Sequence, residues 1–260
     1  IEGSSSGNVI SVDSKKVDIG TFTIQKSWSG ANNAGIRINK DNCYIIDNII
    51  KTCKNGIFIN SSNATTISYN SLTSNTNALF LESSCNETMI SYNTIYSNSG
   101  EGIFLNSTCN TNTISNNDIY SNSYNGIYLH DHCDQNNISG NDIYSNEKIG
   151  IRIENSSNNE ITGQNIIKTN TLYGILIVGS DNKIKNNKLE NNSKHGIFLI
   201  ADDNTTISKN NVRSNTYEGI RMQNSTDNTI KSNDIIDNSR YGIFINYYSI
   251  NNLVYNNKFK

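Results

Sequence analysis

The 260-residue chain contains only three histidines, and two of them stand in one short run, His130-Asp131-His132-Cys133. Tyr128 and His130 lie two residues apart, and the same spacing returns 24 residues later as Arg152 and Glu154. Residues two apart on a strand share a face. Equivalent positions on neighbouring strands lie ~4.8 Å apart. If the chain repeats with that period, these four side chains form one patch. Glu82 and Asn106 extend it toward the N-terminus, and Asp131 and Lys148 flank it. Such a set suits proton transfer beside a carboxylate: Arg152 or Lys148 neutralises the carboxylate while His130 or Tyr128 takes the proton.

Other chemistries fit less well. Hydrolysis by a carboxyl pair needs a separation of roughly 5 to 9.5 Å, and Glu82 and Glu154 sit three repeats apart, about 14 Å at the backbone. Asp131 is closer to Glu154, but it falls at an expected turn. His130, His132 and Cys133, with Cys109 behind them, offer a metal-ligand set only if the strand continues through Asp131. Asp131 and Asp134 offer oxygens to Ca²⁺, yet no EF-hand or nonapeptide calcium motif is present. No cofactor is assigned. His195 stands alone before Gly196 and reads as an exposed spacer.

The repeat that must position these residues is plain in the sequence. A Gly-Ile-x-Ile/Leu phrase begins at Gly35, Gly56, Ala78, Gly102, Gly126, Gly150, Gly174, Gly196, Gly219 and Gly242. A second apolar position recurs from Ile45 and Ile67 to Ile230 and Leu253, and a third from Ile50 and Leu72 through Ile166 to Ile235. Apolar residues alternate with others over only four or five positions, which is strand periodicity. Each unit therefore reads as three short strands, and about eleven units stack as a parallel β-helix on the order of 50 Å long. Residues 8 to 34 read as a less regular first coil.

Asn supplies independent support at about one residue in five. One column runs Asn48, Asn70, Asn93, Asn117, Asn141, Gln164, Asn187, Asn210, Asn233, Asn256. A second runs Asn75, Asn98, Asn122, Asn146, Asn192, Asn215, Asn238, with Cys53 and Thr169 as exceptions. Stacked side-chain amides donate and accept along the axis and satisfy turn groups that burial would orphan. The chain has no Pro, as expected where each Pro would delete a ladder donor. Cys85, Cys109 and Cys133, spaced by 24, fall on one column and read as buried small hydrophobes. A net charge of -2 gives no general field for nucleic acid, and no apolar run is long enough to span a membrane.

The phrase Asn-x-Ile-x-x-Asn-x-Ile-x-x-Asn-x-x-x-Gly-Ile-x-Leu resembles the right-handed β-helix repeat of the NosD-type, carbohydrate-binding and sugar-hydrolase families, from about residue 9 to residue 257. A further resemblance is to archaeal disaggregatase, a degrader of surface polysaccharides. Gly126-Ile127-Tyr128-Leu129-His130-Asp131 is similar to the strand carrying the Asp-Pro-His-Asp motif of alginate epimerases, with only the His-Asp half matching. These resemblances imply an all-β fold and an extracellular or cell-surface protein that binds and modifies a polysaccharide, expected to be acidic, by β-elimination, epimerisation or hydrolysis.

On this reading residues 1–260 are one domain cut from a longer protein. Tyr128, His130, Asp131, Arg152 and Glu154 are the catalytic candidates. Phe80, Glu82, Phe104, Asn106 and Lys148 are the substrate-binding ones, with Phe58, Phe80, Phe104 and Tyr128 forming an outward aromatic stack and Tyr96, Tyr120 and Tyr144 a second. The competing classes are a noncatalytic surface-layer or carbohydrate-binding module and a NosD-like metal-processing protein.

Overall fold

A computed structural model describes residues 1–3, 7–27, 30, 32–246 and 248–260. Three parallel sheets of eleven strands run through it, and each sheet takes every third strand of the chain. This is the right-handed parallel β-helix expected from the repeat. The first sheet carries the Gly-Ile phrases, from Ile10–Val12 to Ile243–Ile245; the second and third carry the other two apolar columns. Residues 8 to 34 supply the first coil, apart from positions 28, 29 and 31, which lie outside the described residues.

Strands of two to seven residues suffice because the stacked apolar columns do the packing. Ile57, Ile59, Leu79, Leu81, Ile103, Leu105, Ile127 and Leu129 of the first sheet have no exposed surface. Burying each such side chain contributes about 1.5–3 kcal/mol. Cys85, Cys109 and Cys133 are buried free thiols on one column, and the Cys85 N–H points at Cys109 Sγ, 3.4 Å away.

Turns are closed by the Asn ladders. Tyr69, at φ 58°, turns the chain into Asn70. The Asn70 amide donates to Ser68 O across the turn and to Ile45 O in the preceding coil, while its own N–H and Nδ2 reach Asn93 Oδ1 at 3.0 Å. Left-handed conformations are costly for side chains with a Cβ, and these buried bonds hold them. A third ladder, including Asn112, Asn136, Asn159 and Asn182, closes the turn into the second sheet.

Two positions differ from the sequence reading. Gly163, at φ +69°, adds one residue to its turn, so Asn165 rather than Gln164 joins the ladder, Ile167 rather than Ile166 enters the core, and Asn170 rather than Thr169 continues the second ladder. At the C-terminal end Val254 pairs with Ile230, and Asn257 accepts from Asn233, displacing Leu253 and Asn256 from those roles.

Candidate functional site

Four adjacent first-sheet strands, Asn77–Glu82, Ile103–Asn106, Ile127–His130 and Ile151–Ser157, build the central patch. Their register places Glu82 beside Asn106, Asn106 beside His130, and His130 beside Glu154; Phe80, Phe104, Tyr128 and Arg152 form the neighbouring row. Inward Leu and Ile fix each strand, so the alternate side chains must face outward. Phe80, Phe104 and Tyr128 stack at 4.9 and 5.1 Å, and Arg152 lies over the Tyr128 ring at 4.7 Å. Phe58 continues the stack but is fully buried, capped by Arg37.

Glu154 is the hub. The Tyr128 hydroxyl and an Arg152 Nη2–H both donate to Glu154 Oε2, each at 2.6 Å. Burial works to raise the Glu154 pKa, but these two donors outweigh it and hold the carboxyl below its ordinary range. Tyr128 moves the other way: burial first, then its bond to Glu154, pushes the phenol well above its ordinary value. Tyr128 is thereby kept protonated and acts as a hydrogen-bond donor to Glu154. His130 Nδ1 lies 2.9 Å from Asn106 Oδ1. Because that oxygen only accepts, Nδ1 carries the proton, and in the neutral ring the lone pair is on Nε2.

Asp131 and His132 leave the strand. Both adopt left-handed φ, 60° and 59°. The Asp131 carboxylate accepts from the Ser107 hydroxyl, and the two residues line a separate hollow of about 380 Å³ with Asn155, Ser157 and Ser180. The strand therefore does not continue through Asp131, and His132 is not aligned with His130. Cys133 is buried with Sγ against His130 O. Among the described residues no three His, Cys, Asp or Glu side chains gather into a metal-holding group. Lys148 extends to the Tyr124 ring, with Nζ 3.8 Å from its centre.

Sequence reasoning missed Glu101. It precedes Gly102 in the turn before the first sheet, is partly buried, and borders a hollow of about 490 Å³ that Phe104, Tyr124 and Tyr128 also line. The available signal was its column: Asn55, Asn77 and Asn125 hold the equivalent place in neighbouring coils, so a carboxyl there is a departure.

His195 overturns the spacer reading. It is 4% exposed, stacked on Tyr173 at 5.2 Å and edged by Phe198 and Tyr217. Its Nδ1 lies 2.7 Å from Oε2 of buried Glu218, though neither atom has a well-aligned hydrogen bond. Burial, then the charges of Arg221, Lys194 and Arg240, lowers its pKa to about 4. The signal was again the turn column, where Tyr173, His195 and Glu218 follow one another.

Solved structures with the same architecture include the periplasmic alginate epimerase AlgG, with a TM-score of 0.69, 14% identity and 92% of this chain covered. The present chain spans only 58% of that epimerase. An alginate lyase from Paenibacillus sp. str. FPU-7 has a TM-score of 0.70 at 14% identity, covering 88% of this chain and 99% of the lyase. The Azotobacter vinelandii mannuronan C-5 epimerase AlgE4 A-module has a TM-score of 0.69 at 15% identity, over 98% of this chain and 89% of the module. At such identities the likeness is one of fold. No curated protein matches the sequence. The sequence model of NosD, described as a periplasmic copper-binding protein, matches residues 3–184 and 122–260. With that match spanning nearly every coil, the chain belongs to the NosD family.

Proposed function

We propose that this β-helix binds an acidic polysaccharide along the outer face of its first sheet and modifies it at the His130 patch, outside the cytoplasm. The observation that carries the reading is the pairing of a fixed base with a fixed cation. Asn106 orients His130 so that Nε2 is free to accept a proton, and Glu154 holds Arg152 one strand away. Arg152 commits an Nη2–H to Glu154 while its side chain stays 32% exposed, so other guanidinium hydrogens remain for a sugar carboxylate. Neutralising that carboxylate acidifies the adjacent C–H, and removal of that proton begins both β-elimination and C5 epimerisation. The Tyr128 hydroxyl gives its one hydrogen to Glu154 and so helps to fix that carboxylate beside Arg152. The acidic polysaccharide matches what the lyase and epimerase neighbours act on, by name.

The copper in the family description finds no donor set around His130 among the described residues, because His132 is beyond a left-handed residue and Cys133 faces the core.

The test is incubation of the chain and a His130→Ala variant with uronate-containing and neutral polysaccharides, following unsaturated-product absorbance, new reducing ends and C5 inversion by NMR. Absorbance or inversion lost in the variant supports the proposal. Reducing ends alone move the reaction to hydrolysis. Binding without any product makes the protein a carbohydrate-binding module.

A further inference from the structure

The hollow at Glu101 has an origin in the chain. In the third and fourth coils the turn from the third sheet to the first is short, Cys53-Lys54-Asn55-Gly56 and Asn75-Thr76-Asn77-Ala78. From Asn98-Ser99-Gly100-Glu101-Gly102 onward every such turn has one more residue. The solenoid therefore widens in a step, and the hollow of about 490 Å³ lies against that step, with Lys54 and Asn77 on the narrow side and Glu101, Phe104, Tyr124 and Tyr128 on the wide side. Gly100 lets the wide turn seat on the narrow one. A Cβ there would stand 2.7 Å from Asn77 Oδ1 and 2.9 Å from Thr76 O. The next residue in that column is Tyr124, which is 45% exposed.

Glu101 is not required by the scaffold. Its Oε2 accepts the Asn125 N–H at 2.8 Å and its Oε1 accepts from Asn125 Nδ2 at 3.2 Å. One coil earlier, Asn77 Oδ1 does the same for the Glu101 N–H, and one coil later Asn125 Oδ1 does it for Ile149. An amide oxygen carries that backbone bond, so the carboxyl adds something the turn does not need. Burial raises the Glu101 pKa against the pull of the Asn125 donors. Charge also converges here. The sequence has no Lys or Arg between Lys54 and Lys148, yet Lys54 lines the hollow and Lys148 lies on the Tyr124 ring.

Cavities of roughly 300–1,000 Å³ with aromatic walls and a few convergent polar groups are what small-ligand sites look like. Flat rings receive the apolar faces of a pyranose, and a cation at the mouth selects a charged one.

We infer that this hollow is a sugar subsite that holds one uronate unit of the polymer, with Tyr124 under the ring, Glu101 hydrogen-bonded to it and Lys54 paired with its carboxylate. Tyr128 borders both the hollow and the His130 patch, so the subsite holds a unit next to the reacting one. The inference rests on the acidic-polysaccharide reading for its ligand class, but concerns binding rather than turnover.

Calorimetric titration of the full chain with short uronate oligomers, and with neutral oligomers of equal length, tests it. Tyr124→Ala is expected to weaken uronate binding about tenfold, the scale of an aromatic contact of roughly 1–1.5 kcal/mol. Lys54→Met is expected to weaken uronate binding several-fold, leave neutral oligomers unaffected and flatten the salt dependence. Glu101→Gln keeps the backbone bond and so the melting temperature, while lowering uronate affinity. Unchanged uronate affinity in Tyr124→Ala and Lys54→Met, equal binding of neutral oligomers, or no uronate binding overturns the subsite. Two separate readouts keep the claims apart: oligomer affinity reports on the subsite, and conversion of polymer reports on the His130 patch. Oligomers that bind through Tyr124 and Lys54 without any polymer being converted leave the subsite standing and remove the chemistry proposed for His130.

Discussion

His130 and His195 lie at opposite ends of first-sheet strands and meet opposite surroundings. His130 ends its strand in a partly exposed row, with its ring tilted on Tyr128 at 5.5 Å and its Nδ1 against Asn106. His195 precedes its strand and is sealed by Tyr173, Phe198 and Tyr217. The difference comes from the coils around each. Near His130 the outer row carries Arg152 and a stack of rings with open edges. Near His195, Leu176 and Phe198 are themselves buried under Leu172, Tyr173 and Ile200, forming a second apolar cluster outside the solenoid. Imidazole reactivity on this scaffold is thus set by neighbours about 23 residues away in sequence and one strand away in space.

Swapping each ring for a methyl should separate the two centres most widely. His130→Ala is expected to lower turnover by about 10²–10⁴-fold, the usual contribution of a positioned base, with a urea midpoint close to that of the parent chain. For His195→Ala the expectation is reversed: stability falls by about 2–4 kcal/mol through a cavity under Tyr173 and Phe198, while turnover under folding conditions persists. Equal loss of stability in both variants would erase the contrast.

Proton linkage sharpens it further. In the folded chain His195 stays neutral down to about pH 4, against an ordinary value of 6.5. Between those values the unfolded chain binds more protons, so this group's contribution is full above pH 6.5 and is lost as pH falls toward 4. Asp202, 1% exposed and seven residues on, is shifted by burial from 3.8 to about 8, only partly offset by Thr205 and Gly179. Here the folded chain binds the extra proton, so stability is fullest below 3.8 and declines as pH rises toward 8. From pH 4 to 6.5 the two slopes oppose, each about 1.4 kcal/mol per pH unit. Urea titrations across pH should show Asp202→Asn more stable at pH 8 and steeply weaker below 6.5, and His195→Gln steepened the other way. A profile for Asp202→Asn parallel to that of the parent would refute this assignment.

The smallest expected change is at Tyr128→Phe, which removes one donor from Glu154 and about 1 kcal/mol of hydrogen bonding. The Glu154 pKa should rise, visible by NMR titration of its carboxyl carbon, with little change in melting temperature.

Legibility followed the repeat. The patch was readable because Tyr128, His130, Arg152 and Glu154 keep the 24-residue period, and register then follows from inward alternation. Glu154 as a shared acceptor was not readable, since two donors converging on one oxygen depend on side-chain torsions across coils. Asp131, a catalytic candidate expected at a turn flanking the patch, does lie at a turn, and the direction of its carboxylate was not readable because it depends on a left-handed φ. Gly163 hid the slip that replaces Gln164 with Asn165: both candidates are amides, and only the ladder distances choose between them.

By itself the sequence determined the solenoid, its three sheets and the order of its columns, because a period of 21 to 24 residues with strand alternation leaves one efficient way to bury the three apolar columns. Tertiary structure alone decided which outward side chains are open, which are sealed and where the solenoid steps outward at Gly100. Those outcomes depend on one-residue changes in turn length, and a turn's length fixes the positions of neighbouring side chains only once the coils are stacked.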